Sequence, residues 1–442
     1  MSPPVDAVRS DEKLPASADV VVIGGGIIGC AAAYALAKKG LSVVVLEKGR
    51  VGGEQSSRNW GWCRQQMRDT REIPLIKESL ALWGGLNEEI GADTGFRRTG
   101  LIYVTKDAAE LARWEAWLEH ARPYQLHSRL LSAAEAQAMM PGCEEKWLGG
   151  LYTPSDGRAE PAKAAPAIAM AARRLGVTLH QGCAARGIET EAGAVASVVS
   201  ELGVVRARAV LCAGGAWTSL FCRRHGIDLP QLSVRASVLR TAPAPEVLAA
   251  PVSSPGFGMR RRLDGGYTVG MRGAASLDLT PDAFRYLRAF WPAYRQGVVA
   301  LNIKFGRPFF TALATPHHWA FDQASPFEKM RVLDPAPEQS VLEAALANLK
   351  AAYPALRDVK VAETWAGMIE GTPDAIPVIS PVESLKGFYI ATGFSGHGFG
   401  IAPAAGRLAA DIIAGETPIV DPRPFRYARM IDGTRLAPQT GL

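Results

Sequence analysis

Residues 19–29 read Asp19-Val-Val-Val-Ile-Gly-Gly-Gly-Ile-Ile-Gly29, and the order of residue types in this stretch decides the fold. Val20–Ile23 is an apolar, β-branched run of the kind that forms a strand buried on both faces. Gly24-x-Gly26-x-x-Gly29 follows directly, and Cys30–Lys39 then reads as an alanine-rich helix. Gly24 permits a tight turn, Gly26 lets the backbone approach a phosphate, and Gly29 allows close helix–strand packing. Ile27 and Ile28 stand at the helix start, where unpaired N–H groups and the positive dipole end favour an anion. A second strand, Leu41–Leu46, ends in Glu47, 23 positions after Gly24, where a ribose-binding carboxylate belongs. That carboxylate would repel a 2′-phosphate, so NADP is disfavoured and NAD or FAD remains.

The rest of the chain is consistent with an ordinary globular protein. It has 442 residues, 48% hydrophobic and 21% charged, and a balance of 49 − 43 = +6. At that length two interleaved substructures are expected, with enough core to need no disulfide or metal staple. The mild basicity is not gathered into a run, so nucleic-acid binding is not expected. Six cysteines occur without a C-x-x-C pair or a zinc-like spacing, as for buried thiols in a reducing compartment. Residues 1–18 are polar and read as a flexible extension without the apolar centre of a signal peptide. No window is apolar enough to span a bilayer. A cytoplasmic protein, or one peripheral to the inner face of the membrane, is the expectation.

Further motifs choose between the cofactors. Gly52-Gly53-Glu54-Gln55-Ser56-Ser57-Arg58-Asn59 follows the second strand, Val210–Trp217 reads Val-Leu-Cys-Ala-Gly-Gly-Ala-Trp, and Gly387–Gly400 runs from an apolar strand into Gly393-Phe-Ser-Gly-His397-Gly-Phe-Gly400. Together these resemble the D-amino-acid oxidase superfamily of FAD enzymes, especially its glycine oxidase, sarcosine oxidase and amino-acid dehydrogenase branch. The resemblance implies an α/β fold, with a Rossmann-like FAD-binding domain and an interleaved antiparallel-sheet substrate domain. It assigns 19–93, 155–233 and 362–420 to the first domain, and 94–154 and 234–361 to the second.

Cofactor contacts are expected from Gly24, Gly26, Ile27, Ile28, Gly29, Glu47 and Lys48, from Ser56, Ser57, Arg58 and Asn59, and from Ala213, Gly214 and Trp217. At the far end they are expected from Gly393, Gly396, His397, Gly398, Phe399 and Gly400, with a helix beginning near Ala402. By resemblance that turn meets the flavin pyrimidine edge, where a helix dipole stabilises negative charge on the reduced ring. His397 is read as a flavin contact rather than a proton carrier. Gly367 stands where some relatives carry an attachment cysteine, and Trp60 and Trp62 lie where others carry a histidine. Noncovalent FAD is therefore expected.

The implied reaction is oxidation of a C–N bond in an amino acid or secondary amine, giving an imine that hydrolyses. No catalytic base is assigned and no metal is expected. Arg64, seven residues before the landmark Arg71-Glu72-Ile73-Pro74, is the expected anchor for a substrate carboxylate. Trp365 and Met368, with Trp60 and Trp62, are expected to wall the substrate cavity, and Glu370 is read as an outward, solvated carboxylate. Oxygen or a quinone accepts the electrons, with a lean towards a dehydrogenase. Alternatives are oxidation of a 2-hydroxy acid or other C–O bond, and a flavin subunit of an opine- or hydroxyproline-type complex.

Val252–Met259 and Gly266–Met271 read as strands of the second domain. Leu279–Phe310 is long, aromatic and basic, with Pro281 and Pro292 suggesting two short helices and a break. It either packs on the substrate domain or a partner subunit, the favoured reading, or lies against an anionic membrane.

Overall fold

A computed structural model describes residues 2–295 and 302–439. The strand Ser17–Ile23 is the centre of an eight-stranded sheet, pairing in parallel with Gly203–Cys212 on one side and Val43–Leu46 on the other. Phe388–Thr392 and Thr178–His180 extend the parallel part outward. Val20, Val21 and Val22 are almost wholly buried, because apolar clusters cover both sheet faces. The helix Ile27–Lys38 begins three residues before the expected start, immediately behind the glycine turn.

The second, ten-stranded sheet is mainly antiparallel, and the helix Gln339–Ala352 covers its core. Its longest pairing joins Leu232–Thr241 to Val361–Gly371. That pairing corrects the expected boundary at residue 362, since the strand there belongs to the substrate-side sheet. Val252–Met259 is likewise not one strand. Val252–Ser253 and Gly258–Arg261 pair with each other through a turn closed by Ser254.

Residues 2–18 are not a loose extension. Asp11 pairs with Arg173 and accepts the Leu179 N–H at 2.8 Å, and the Asp6 N–H donates to the Ala162 carbonyl at 3.0 Å. In the 279–310 segment, Pro281 opens the helix Pro281–Arg285, but Pro292 lies inside the helix Leu287–Arg295 and does not end it. Residues 296–301 of that segment lie outside the described residues. The strand Asn302–Lys304 then joins the second sheet beside Ser276–Asp278, and the helix Arg307–Ala314 follows.

The chain's last long helix, Gly398–Ala414, returns to the first. It starts at Gly398 rather than near Ala402. Its approach requires small residues: a Cβ on Gly406 would stand 2.5 Å from the Ala31 carbonyl carbon. Its first turn is clasped by Ser79 Oγ and Trp83 Nε1, which both donate to the Gly400 carbonyl, at 2.8 and 2.9 Å.

Gly29 sets the seat of the first helix, since a Cβ there would lie 2.0 Å from the Gly24 carbonyl oxygen. Gly29→Ala is expected to cost about 2 kcal/mol or more in urea unfolding through overpacking. Stability within a few tenths of wild type would show that the turn yields freely.

Candidate active site

Both helix N-termini open on one cavity with about 1230 Å³ of free space, the open solvent at its mouth included. At one end the chain needs glycine at position 24 twice over. Its φ is +109°, and a Cβ would stand 2.5 Å from the Ala213 carbonyl oxygen. Glu47 accepts the Gly25 N–H at 2.6 Å and the Gly49 N–H at 2.7 Å, so the two arms of its carboxylate tie the turn to the second strand. Burial raises its pKa. Ser56 Oγ accepts the Ile27 N–H at 2.9 Å. Glu54, which the sequence reading left unassigned inside its own motif, joins Lys48 at 2.6 Å, Trp217 Nε1 at 3.1 Å and the Leu333 N–H at 2.9 Å.

Of the expected cofactor residues, Gly24, Gly26, Ile27, Ile28, Glu47, Lys48, Ser56, Asn59, Ala213, Gly214, Trp217, Gly396, Gly398 and Phe399 line this cavity, as does Met368. Gly29, Gly393 and Gly400 stand behind it, where each lets neighbouring backbone or side chain approach. Ser57 and Arg58 are buried away from it. Ser57 Oγ bonds to the Glu54 carbonyl, and Arg58 pairs with Asp334 at 2.7 Å and donates to the Ala366 carbonyl at 2.8 Å. Arg58 is thus a brace between the two sheets' segments rather than a wall. Trp365 is also structural: its Nε1 donates to the Arg58 carbonyl at 3.1 Å and it does not line the cavity. Glu370, expected to face solvent, is buried and lines the cavity. Phe327 and Phe394 line it too. Phe327 carries no local signal, because only the fold brings its short helix there.

A glycine turn at one helix start, a carboxylate on the next strand and a second helix start across the same cavity form a set that fits a dinucleotide. Gly24 and Gly26 would hold its phosphates, Glu47 a ribose, and Gly396–Phe399 the electron-accepting ring.

Beyond Gly398 lies a buried polar cluster. His397 Nδ1 faces Glu72 Oε2 at 2.8 Å, and its Nε2 has no partner among the described residues. Burial first, then the Arg68 charge, pushes His397 down to about 4, so it is neutral at neutral pH. Arg68 is 2% exposed and forms no ion pair among the described residues. Its pKa is lowered to about 9 by burial and by Arg64. Asp156 accepts the Gln65 and Gln66 amides at 2.9 and 3.2 Å, and burial raises it to about 7. Arg64 is half-buried, donates to the Gln66 carbonyl, and lies 5.9 Å from the Tyr103 ring centre. Arg272 approaches the same ring to 5.6 Å. The sequence reading missed Arg272, which no motif marks.

The family described as DAO, FAD dependent oxidoreductase, matches residues 19–412, and the chain belongs to it. It is an FAD-dependent oxidoreductase. Glycine oxidase from Pseudomonas aeruginosa is 26% identical over 92% of this chain and 98% of its own. The structure resembles L-amino acid deaminase from Proteus myxofaciens, solved in complex with anthranilate, at 32% identity, with 97% of each chain covered and a TM-score of 0.93. L-amino acid deaminase from Proteus vulgaris is 31% identical, covers 95% of this chain and 99% of its own, and gives a TM-score of 0.90. These findings bear out the expected family, fold class and cofactor.

An unfolded histidine titrates near 6.5, whereas His397 in the fold stays neutral down to about 4. Acidification therefore protonates the unfolded chain first, and His397 removes stability as pH falls from 6.5 towards 4. The loss is up to about 3 kcal/mol. Urea unfolding of wild type and His397→Gln at several pH values should show a shallower acid slope in the variant; equal slopes would contradict the neutral buried ring.

Proposed function

We propose that this chain oxidises the C–N bond of a carboxylated amine to an imine, which water hydrolyses to a carbonyl compound and an amine or ammonia. The observation that carries the reading is the juxtaposition of the Gly396–Phe399 helix start, open to the cavity, with the Arg64–Arg68 cations. When bound, FAD supplies the electron acceptor for the hydride equivalent leaving the α-carbon. The helix start at Gly398 favours negative charge at its end of the cavity. Arg64 anchors the carboxylate. Its guanidinium is held by a single backbone carbonyl and is partly accessible, so it can turn to a two-pronged partner. Arg68, enclosed behind it, keeps the region positive. The names of the relatives, glycine oxidase and L-amino acid deaminase, support a substrate of this class.

FAD is held without a covalent bond. Gly367 stands in the place where some relatives carry an attachment cysteine and offers no thiol; a side chain there would have to displace Gln55 Oε1, 2.1 Å from the Cβ position.

Anaerobic mixing with amines, amino acids and hydroxy acids tests the reaction by loss of flavin absorbance. Carboxylated amines should reduce the flavin, and Arg64→Ala should weaken that substrate by about 100-fold while FAD is retained. Reduction by hydroxy acids alone would sink the amine reading and favour C–O oxidation. Admitting air to the reduced protein then separates oxygen from a quinone as acceptor.

A second reading concerns the 279–310 segment. Phe305, Phe310 and Leu313 in and beside it are 64%, 57% and 64% exposed, so this face does not pack on the substrate-side sheet. The segment carries Arg285, Arg288, Arg295, Lys304 and Arg307 against Asp282, with Arg285 paired to Asp228 and Lys304 to Glu338. Exposed aromatics among cations suit an anionic membrane surface, the location of a quinone acceptor. Among the described residues no helix is long and apolar enough to cross a membrane. Vesicles containing phosphatidylglycerol should co-sediment the protein, and Trp291→Ser with Phe310→Ser should reduce binding at least tenfold. Equal recovery with neutral and anionic vesicles would reject this contact.

A further inference from the structure

Glu370 lies on the strand Val361–Gly371, is 8% exposed, and opens on the same cavity as Gly24 and Gly396. Its backbone is fixed on two sides. Ser233 is its partner across the second sheet, and the Ser395 N–H donates to its carbonyl at 2.9 Å. The amides of Glu370 itself and of Phe394 donate to its carboxyl group and favour the ionised form, but burial outweighs them. Among the described residues, no side chain hydrogen-bonds to that group and no cation pairs with it. A carboxylate enclosed in this way is costly, so burial favours the protonated acid and raises its pKa to about 7, with Glu54 adding like-charge repulsion.

Most charged groups on the surrounding elements are committed elsewhere; Arg50, which lines the same cavity, donates to the Pro3 carbonyl at 3.4 Å. Lys48 is paired with Glu54, Arg58 with Asp334, and His397 with Glu72, while Arg235 on the partner strand is paired with Asp278. Arg64 and Arg68 act on His397, whereas Glu54 is the charge that acts on Glu370. Glu370 opens on the cavity beside Glu54 and the Phe394–Gly396 turn. Glu47 and Glu54 already line this cavity, with Lys48 and Arg50 as its cations, and a dinucleotide brings two phosphate charges to it. A third carboxylate there would be repulsive; a carboxylic acid would be a donor.

We propose that Glu370 is a cofactor-binding residue that holds FAD as a neutral carboxylic acid, donating its O–H to an acceptor on the cofactor. The inference rests on the family's use of FAD and assigns to this chain a residue and a protonation state for it. Binding then favours the protonated form, so above the pKa of the free protein each FAD bound takes up one proton. Affinity falls about tenfold per pH unit there.

Apoprotein titrated with FAD between about pH 6 and pH 9 tests this. Flavin fluorescence gives affinity, and calorimetry in two buffers of different ionisation enthalpy counts protons. Wild type should show the tenfold-per-unit decline and, near pH 8, uptake approaching one proton. Glu370→Gln keeps a donor without titrating, so it should bind with a flat profile and no proton uptake from this position. Glu370→Met, of similar length and without a donor, should also be flat but weaker at pH 6. A flat wild-type profile, or the same slope and uptake in either variant, would overturn the proposal. FAD binding without a slope rejects Glu370 alone, whereas no FAD binding by wild type at about pH 6 would reject the cofactor reading beneath it.

Discussion

The cavity depends on two helices meeting at a glycine. Ile27–Lys38 and Gly398–Ala414 are separated by most of the chain, yet Gly406 lets their backbones approach until no Cβ fits against Ala31. Close contact fixes both N-termini on one space, and the clasp of Ser79 and Trp83 on the Gly400 carbonyl holds the second in register. Each of these hydrogen bonds contributes about 1 kcal/mol. Their larger effect is geometric, because Gly396–Phe399 would otherwise have no fixed relation to the Gly24 turn.

Charge is divided along that space. Carboxyl groups of Glu47, Glu54 and Glu370 line the cavity together with Lys48 and Arg50, while Arg64 and Arg68 stand beyond Gly398. Burial decides which of these are charged. His397, the residue that invites a catalytic reading in the sequence, is driven neutral by its enclosure and by Arg68, and its Nδ1 is occupied by Glu72. The positive field at this end comes from the arginines and the helix start, and the buried Arg68 and the helix start are held in place by the fold.

The glycine turn, Glu47 and the last strand–helix were legible because each is a local device. Their spacing along the chain is their geometry. Residues whose role depends on distant partners were not. Val361–Gly371 reads as part of the first domain until Leu232–Thr241 is seen beside it. Glu370 reads as a surface carboxylate until Phe394 and Ser395 close over it, and Arg58 reads as a cofactor ligand until Asp334, 276 positions away, takes its charge. Polar residues 2–18 have the composition of a loose tail, and only the grooves offered by Ala162, Arg173 and Leu179 make them ordered structure.

That same strand, Val361–Gly371, joins the two halves mechanically. Trp365 donates to the Arg58 carbonyl, and Arg58 donates to the Ala366 carbonyl, so the strand is bolted to the segment that carries Ser56 and Asn59. Two residues further on, Met368 and Glu370 face the cavity from the same strand, as the two-residue repeat requires. Gly367, just before Met368, lets Gln55 lie close against the strand, its Oε1 2.1 Å from where a Cβ would stand. The substrate-side sheet therefore cannot shift against the nucleotide-side segment without moving Met368 and Glu370. The pairing of Leu232–Thr241 with Val361–Gly371 consequently positions cavity-lining groups as well as the core of the second sheet, and mutations along either strand will be read at the cavity.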